Sequence, residues 1–223
     1  MPQIQSQVEK GTYTLSPTKR ITINRKRTSL WSSEDSLVLK DLALTLEKKL
    51  PPHLSKKCTH LKNNGGLKGA LRSVLKTKNK FIMRSDVKSY YASINHHILF
   101  NQFCDLIPEK NHRRIVWQYL KRTEDINGNY VSIEKGISLG CPLSPLMAAL
   151  YLKPLDQEME KLEKEGISYI RYMDDWVITA PTRWKLRKAV KKVNQVLKKL
   201  KVEKNPDKTY IGKKETFNSS ATL

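Results

Sequence analysis

The strongest constraint on this chain is a stretch where two adjacent carboxylates interrupt a run of strand-forming residues. Ile167-Ser168-Tyr169-Ile170-Arg171-Tyr172 is β-rich, Met173-Asp174-Asp175 follows, and Trp176-Val177-Ile178-Thr179 resumes the pattern. Two short strands flanking acids predict a hairpin with Asp174 and Asp175 at its tip. A second apolar run, Phe81 to Val87, reads as a strand ending at Asp86. Taken singly, Asp86 fits a turn cap, and an Asp-Asp pair fits a hydrogen-bonded loop. Neighbouring in one sheet, the same carboxylates repel one another unless a cation sits among them. Oxygen ligands suit a hard ion such as Mg²⁺. Two such ions about 3.5–4 Å apart activate an attacking hydroxyl and stabilise a leaving phosphate oxygen.

Charge points to the partner. The 223 residues carry 42 Lys+Arg against 21 Asp+Glu, a formal net charge of +21. Such a balance signals a polyanion, with RNA, DNA and anionic membrane surfaces all open. An apolar share of 39% is enough for a core and excludes a wholly disordered basic arm. The N-terminus has no apolar signal-peptide core, and the apolar stretch from Leu146 to Leu152 is far short of the ~20 residues of a membrane span. A soluble, cytoplasmic protein without a membrane partner is expected. Cys58, Cys104 and Cys141 are odd in number and widely spaced, which argues against a disulfide framework. His53, Cys58 and His60 lack a fourth zinc ligand at matching spacing and read as incidental polar residues of a loop.

Along the chain, residues 1–30 read as a basic, poorly ordered arm or an early nucleic-acid contact, with Lys19, Arg20, Arg25, Lys26 and Arg27 close together. Ser32 is an N-cap candidate with acids in the first turn. Leu39, Leu42, Ala43, Leu46 and Leu50 then recur at helical spacing until Pro51-Pro52. A short helix is predicted from Leu67 to Leu75, and helices over 94–121 broken near Pro108. Asn127-Gly128-Asn129 should turn between short strands. One helical run is predicted from Leu143 to about Glu165, kinked at Pro154 and ended by Gly166. Residues 183–201 give the clearest helix, apolar along Leu186, Val190, Val193, Leu197 and Leu200. Its basic faces read mainly as solvated. The pattern fits an α+β fold, a sheet covered by helices on one face.

Four segments together resemble the reverse transcriptase family. Tyr172-Met173-Asp174-Asp175 looks like its signature motif, and Asp86-Val87-Lys88-Ser89-Tyr90-Tyr91 resembles its first aspartate motif. Gly140-Cys141-Pro142-Leu143-Ser144-Pro145 resembles the Gly-x-x-x-Ser-Pro motif that opens a palm helix. Asn205-Pro206-Asp207-Lys208-Thr209 looks like the following lysine-bearing motif. They stand in family order over roughly residues 30–212, and the likeness is to bacterial enzymes of the group II intron and retron-like kind, which serve as mobile elements or in antiviral defence.

The resemblance implies a right-hand polymerase fold with an antiparallel palm sheet packed on helices. Residues 1–30 would be the arm, 31–80 fingers, 81–212 palm with an interleaved fingers segment, and 213–223 a polar tail. It implies RNA-directed DNA polymerisation, in which a primer 3′-OH attacks a dNTP on an RNA template. Two Mg²⁺, or Mn²⁺ in their place, would sit on Asp86 and Asp174 with the Val87 carbonyl assisting and Asp175 beside them. Lys208 would neutralise or protonate the departing pyrophosphate. Tyr91 would exclude a 2′-OH, and Gly140 and Ser144 would line the nucleotide site. Lys68 and Arg72 would meet the triphosphate. RNA template, DNA or RNA primer and dNTPs are the implied partners, with no protein partner identifiable.

The chain departs from the family pattern twice. Leu139 stands where the family often has Gln, so nucleotide positioning there would rest on the Gly140 backbone. After Gly212 the sequence Lys213-Lys214-Glu215-Thr216-Phe217-Asn218-Ser219-Ser220-Ala221-Thr222-Leu223 is polar where the family continues into a thumb. That ending reads as a chain cut before the thumb. It keeps a second reading open: a thumbless, catalytically weak remnant that binds nucleic acid. A third, an RNA-dependent RNA polymerase on the same palm, is opposed by the bulk of Tyr91.

Overall fold

The computed structural model describes residues 2–23 and 26–215. In chain order the elements are α1 (Pro2–Glu9), β1 (Thr18–Ile23), β2 (Lys26–Leu30), α2 (Ser33–Lys49), α3 (Gly66–Lys76), β3 (Phe81–Ser85), α4 (Tyr90–Ser93), α5 (His96–Cys104), α6 (Lys110–Leu120), β4 (Thr123–Ile126), β5 (Asn129–Ser132), α7 (Ser144–Tyr151), α8 (Lys153–Leu162), β6 (Ser168–Tyr172), β7 (Asp175–Ala180), α9 (Arg183–Lys199) and β8 (Tyr210–Lys213). The chain divides into two compact units of interleaved segments. One comprises Met1–His53 and Tyr91–Tyr151, the other Leu54–Tyr90 and Leu152–Leu223.

In the first unit the described residues form a four-stranded sheet in the order β2-β1-β4-β5. The helix expected after Ser32 is present as α2. The Ser32 hydroxyl accepts from Asp35 N at 3.0 Å, and Leu39, Leu42, Ala43 and Leu46 are buried. The reading of residues 1–30 as a poorly ordered arm is corrected here. β1 and β2 form an antiparallel hairpin, and β1 pairs in parallel with β4. Glu124 of β4 supplies the physical reason. Its carboxylate takes Arg20 at 2.7 Å and Ser29 at 2.6 Å, with Arg122 at 3.3 Å, so a basic hairpin finds a buried counter-charge. Burial alone would raise the Glu124 pKa, but these three donors outweigh it and hold the carboxyl below its usual range. Tyr13 and the Ser16 amide both donate to Asp35, tying the preceding loop to α2. Arg25 lies outside the described residues, as does the tail from residue 216.

The second unit holds the antiparallel sheet β6-β7-β3-β8, on which α8 and α9 pack. Met83 lies opposite Ile178 and Ser85 opposite Trp176, and this face is buried. Along helix α9 the predicted Leu186, Val193, Leu197 and Leu200 are buried and Val190 is half-buried, while Ala189 and Val196 join the buried face. The single helix expected from Leu143 to Glu165 is instead two, α7 and α8, which break at Leu152. Pro154 lacks an N–H and its ring crowds the carbonyl four residues back, so it opens α8 rather than kinking a longer helix.

Gly136 anchors the loop before α7. Its N–H donates to Ile94 O at 2.8 Å, and its carbonyl accepts from His96 Nε2 at 2.7 Å and Arg122 at 3.2 Å. Its φ is +87°, and a Cβ there would lie 2.9 Å from both Ala92 Cα and Tyr91 O. Gly136→Ala should therefore combine left-handed backbone strain with overpacking, about 3 kcal/mol in all. A thermal melt should fall by about 6–12 °C. Gly128→Ala, with similar φ but open space around it, should cost only about 1 kcal/mol. Equal melting of the two variants would contradict the crowding.

Candidate active site

Three carboxylates and an ammonium gather at one end of the β6-β7-β3-β8 sheet. Tyr172↔Asp175 is the last β6–β7 pair, so Met173 and Asp174 alone make the turn. Ser85 pairs with Trp176, which brings the end of β3, and Asp86 after it, beside the start of β7. Asn205 N donates to Asp86 O at 2.9 Å, and Lys88 N donates to Glu203 O at 2.9 Å. This two-bond clasp sets the Pro206–Lys208 turn over Asp86. Lys208 Nζ then donates to Asp86 Oδ2 at 2.8 Å. The Val87 carbonyl takes no part in the clasp, whose acceptors are Asp86 O and Glu203 O.

The electrostatics are those of a crowded acidic site. Burial raises the Asp174 pKa, and the negative charges of Asp175 and Asp86 add to it. Burial also raises that of Asp175, against the pull of Arg84 and Lys208. Lys208 is pushed up by its hydrogen bond and charge attraction to Asp86, so it holds its proton firmly, and its side chain is 65% exposed. Asp86 is 4% exposed, and its Oδ1 is buried without a hydrogen-bond partner. An orphaned buried carboxylate oxygen beside two mutually repelling carboxyls is a donor set for a hard cation. Among the described residues no three His, Cys, Asp or Glu side chains form a ready-made metal cluster.

The sequence reading missed a second layer of this site. His60 is not an incidental loop residue: its Nδ1 accepts from Met173 N at 3.0 Å. Arg171 Nη1 donates to Met173 O at 2.7 Å, and the same guanidinium is bidentate to buried Asp156. Cys58 is fully buried, and burial pushes its thiol up to about 12, which suits packing rather than zinc ligation. Nothing in the residue pattern around His60 announced a partner 113 residues away.

Other expected site residues are placed as follows. Lys68 and Arg72 are exposed, one turn apart on α3. Tyr91, Gly140 and Ser144 belong to the first unit. Tyr90 is the buried aromatic of its pair at 4% exposed, while Tyr91 is half-buried. Gly140 is exposed with φ +86°, and Leu139 beside it is 40% exposed. Ser144 is 1% exposed, and its hydroxyl is bonded to Tyr119 Oη at 2.6 Å and to Ser138 O, which fastens the start of α7.

The chain matches the family model described as "Reverse transcriptase (RNA-dependent DNA polymerase)" over residues 22–218. It is 22% identical over 167 residues to protein YkfC of Escherichia coli (strain K12), covering 60% of this chain and 44% of that protein. Among solved structures it resembles an apo telomerase from Candida tropicalis, with a TM-score of 0.69 at 14% identity, over 91% of this chain and 45% of the other. A form of that telomerase truncated from its C-terminal domain gives a TM-score of 0.57 at 16% identity, over 86% and 41%. The chain spans less than half the length of each of these relatives, and the structural likeness is one of fold.

The raised carboxyl pKa values have a sign that a melt can read. A folded-state pKa above the unfolded one means that ionisation opposes folding. The penalty sets in as pH rises past about 3.8 and is complete above the folded pKa. In chelator-treated protein at pH 7, Asp174→Asn should raise the melting temperature by about 2–4 °C, as about 1 kcal/mol does in a chain of this size. The gain should shrink as pH is lowered toward 4. A variant that melts lower than wild type at pH 7 would contradict carboxylate crowding.

Proposed function

The chain belongs to the reverse transcriptase (RNA-dependent DNA polymerase) family, and on that premise we propose that it extends a nucleic-acid primer with deoxynucleotides along an RNA template. The observation that carries the reading is the convergence of Asp86, Asp174 and Asp175, with an unpartnered buried oxygen on Asp86 and Lys208 held against it. Asp86, Asp174 and Asp175 would hold the divalent ions, Mg²⁺ first and Mn²⁺ as substitute, with the Val87 carbonyl at hand. When bound, such ions activate the primer 3′-OH and stabilise charge on the departing phosphate oxygens.

The chain's own groups do the rest. Lys208 is charged, exposed and hydrogen-bonded to Asp86, and its raised pKa keeps it cationic, so it would neutralise charge on the leaving pyrophosphate and would give up a proton only on leaving Asp86. Lys68 and Arg72 present two cations on one exposed face of α3 for a triphosphate. Tyr91, half-buried where Tyr90 fills the core, is the ring that would exclude a 2′-OH. Gly140 would offer its exposed backbone to the nucleotide, with Leu139 supplying contact but no hydrogen bond. The excess of 42 Lys+Arg over 21 Asp+Glu serves backbone binding to template and primer. The affinity with group II intron and retron-like enzymes rests on the four motifs alone.

A second reading is nucleic-acid binding without polymerisation, for which the formal net charge of +21 would be enough. Primer extension on an RNA template separates the two. Wild type should incorporate dNTPs with Mg²⁺, and Asp174→Asn should lose about 10³-fold, the scale of removing one transition-state charge stabiliser. Equal product from both proteins would remove Asp174 from the chemistry. Salt-sensitive RNA binding with no incorporation by wild type would establish the second reading.

A further inference from the structure

We propose that His60 and Arg171 form a two-sided clamp on the Met173 peptide, and that this clamp is what positions Asp174 for metal binding. The inference rests on the polymerase reading for its consequence, but its geometry stands independently.

Met173 is under backbone strain. It is the first central residue of a two-residue hairpin turn, and its φ is +57°. Hairpins of this length with positive φ at that position normally place Gly there. A side-chain-bearing residue costs about 1–2 kcal/mol in the left-handed region, and such strain persists only where the surroundings over-determine it.

Here both backbone polar groups of Met173 are held by side chains from outside the turn. The N–H donates to His60 Nδ1 at 3.0 Å, and the carbonyl accepts from Arg171 Nη1 at 2.7 Å. Neither jaw is free to drift. Arg171 is 1% exposed, with Nε on Asp156 Oδ1 at 2.8 Å and Nη2 on Asp156 Oδ2 at 2.5 Å, and Tyr169 Oη also donates to Asp156 Oδ1 at 2.7 Å. His60 rides on a loop zipped to β6. Arg171 N donates to Lys57 O at 2.9 Å, and Thr59 returns both its N–H (2.8 Å) and its hydroxyl (3.0 Å) to Arg171 O. Asn64 Nδ2 closes the loop on Cys58 O at 3.0 Å, and the His60 ring stands edge-on to Tyr172 at 6.0 Å. An Nδ1 that accepts a backbone N–H carries no proton itself, so any ring proton of this tautomer sits on Nε2.

The role follows from adjacency. Asp174 is the next residue in a two-residue turn, so fixing the Met173 peptide plane fixes where the Asp174 carboxylate leaves the backbone. Groups that orient a metal ligand in this way typically change metal affinity by about 10–100-fold when removed. His60 and Arg171 are positioning residues; neither is placed against substrate.

The test compares wild type, His60→Leu and His60→Asn. Asn keeps an acceptor oxygen near the position of Nδ1; Leu keeps bulk alone. In primer extension against Mg²⁺ concentration, His60→Leu should shift the half-maximal Mg²⁺ upward by roughly tenfold. His60→Asn should return it to within about twofold of wild type. A lower folded fraction would reduce the amplitude without moving the Mg²⁺ midpoint, so a loss of structure does not mimic the result. An unchanged midpoint in His60→Leu overturns the proposal, and so does a His60→Asn protein as impaired as His60→Leu. Mn²⁺ affinity measured by electron paramagnetic resonance on the same proteins needs no turnover. If wild type incorporates nothing, the polymerase reading falls while the clamp is still judged there: roughly tenfold weaker Mn²⁺ binding by His60→Leu supports it, and equal binding overturns it.

Discussion

The buried ion pair between Arg171 and Asp156 is the interaction on which the site's geometry depends. Both side chains are sealed from solvent, at 1% and 0% of their accessible surface. Burying two charges is costly, and a pair recovers that cost only with good geometry and every remaining donor used. Here burial opposes the guanidinium charge, but attraction to Asp156 outweighs it and holds the Arg171 pKa above its ordinary value. The carboxylate is met in a bidentate fork and also by Tyr169, and a further Arg171 N–H, on Nη1, goes to Met173 O. One pair therefore joins helix α8, strand β6 and the turn that carries the acidic residues. Breaking such a pair from one side typically costs about 3–5 kcal/mol, which makes it a strong anchor for a strained turn.

Around that anchor, the second unit keeps acids together against their own repulsion. A chain with formal net charge +21 has cations to spare. Yet those near the carboxylates leave them only partly compensated: Lys208 bonds Asp86, and Arg84 lowers Asp175 by its charge alone. Burial still holds Asp174 and Asp175 above the usual carboxylate range. In the proposed function, that uncompensated charge is what a further cation would offset, and the cradle of helices and antiparallel strands holds the carboxylates in place for it. Rigid placement of ligands before binding is the condition for charge stabilisation without reorganisation.

Much of this was legible in the sequence because it depends on local periodicity. The acids between two β-rich runs announced the β6–β7 turn, Asp86 marked the end of β3, and the apolar repeat from Leu186 to Leu197 marked α9. What escaped depends on tertiary pairing. Residues 18–30 looked like a basic arm because their counter-charge, Glu124, lies about a hundred residues on, and no local signal connects the two. The motif around Ser144 gave no sign that its hydroxyl bonds Tyr119 and Ser138. His60 looked incidental because a histidine that accepts one backbone N–H from a distant turn leaves no spacing signature. The break at Leu152 was half-legible: Pro154 showed that the helix must change, but not that a new one starts there.

The central claim is that Asp86, Asp174 and Asp175, held by the braced turn, form the divalent-cation site of a polymerase. Anomalous diffraction from crystals grown with Mn²⁺, an RNA template, a DNA primer and a non-hydrolysable dNTP analogue tests it most directly. The account predicts Mn²⁺ peaks in contact with Asp86 and Asp174, with His60 and Arg171 still bonded to the Met173 peptide. Manganese bound elsewhere on the chain, with these carboxylates bare beside an ordered primer–template, would contradict it.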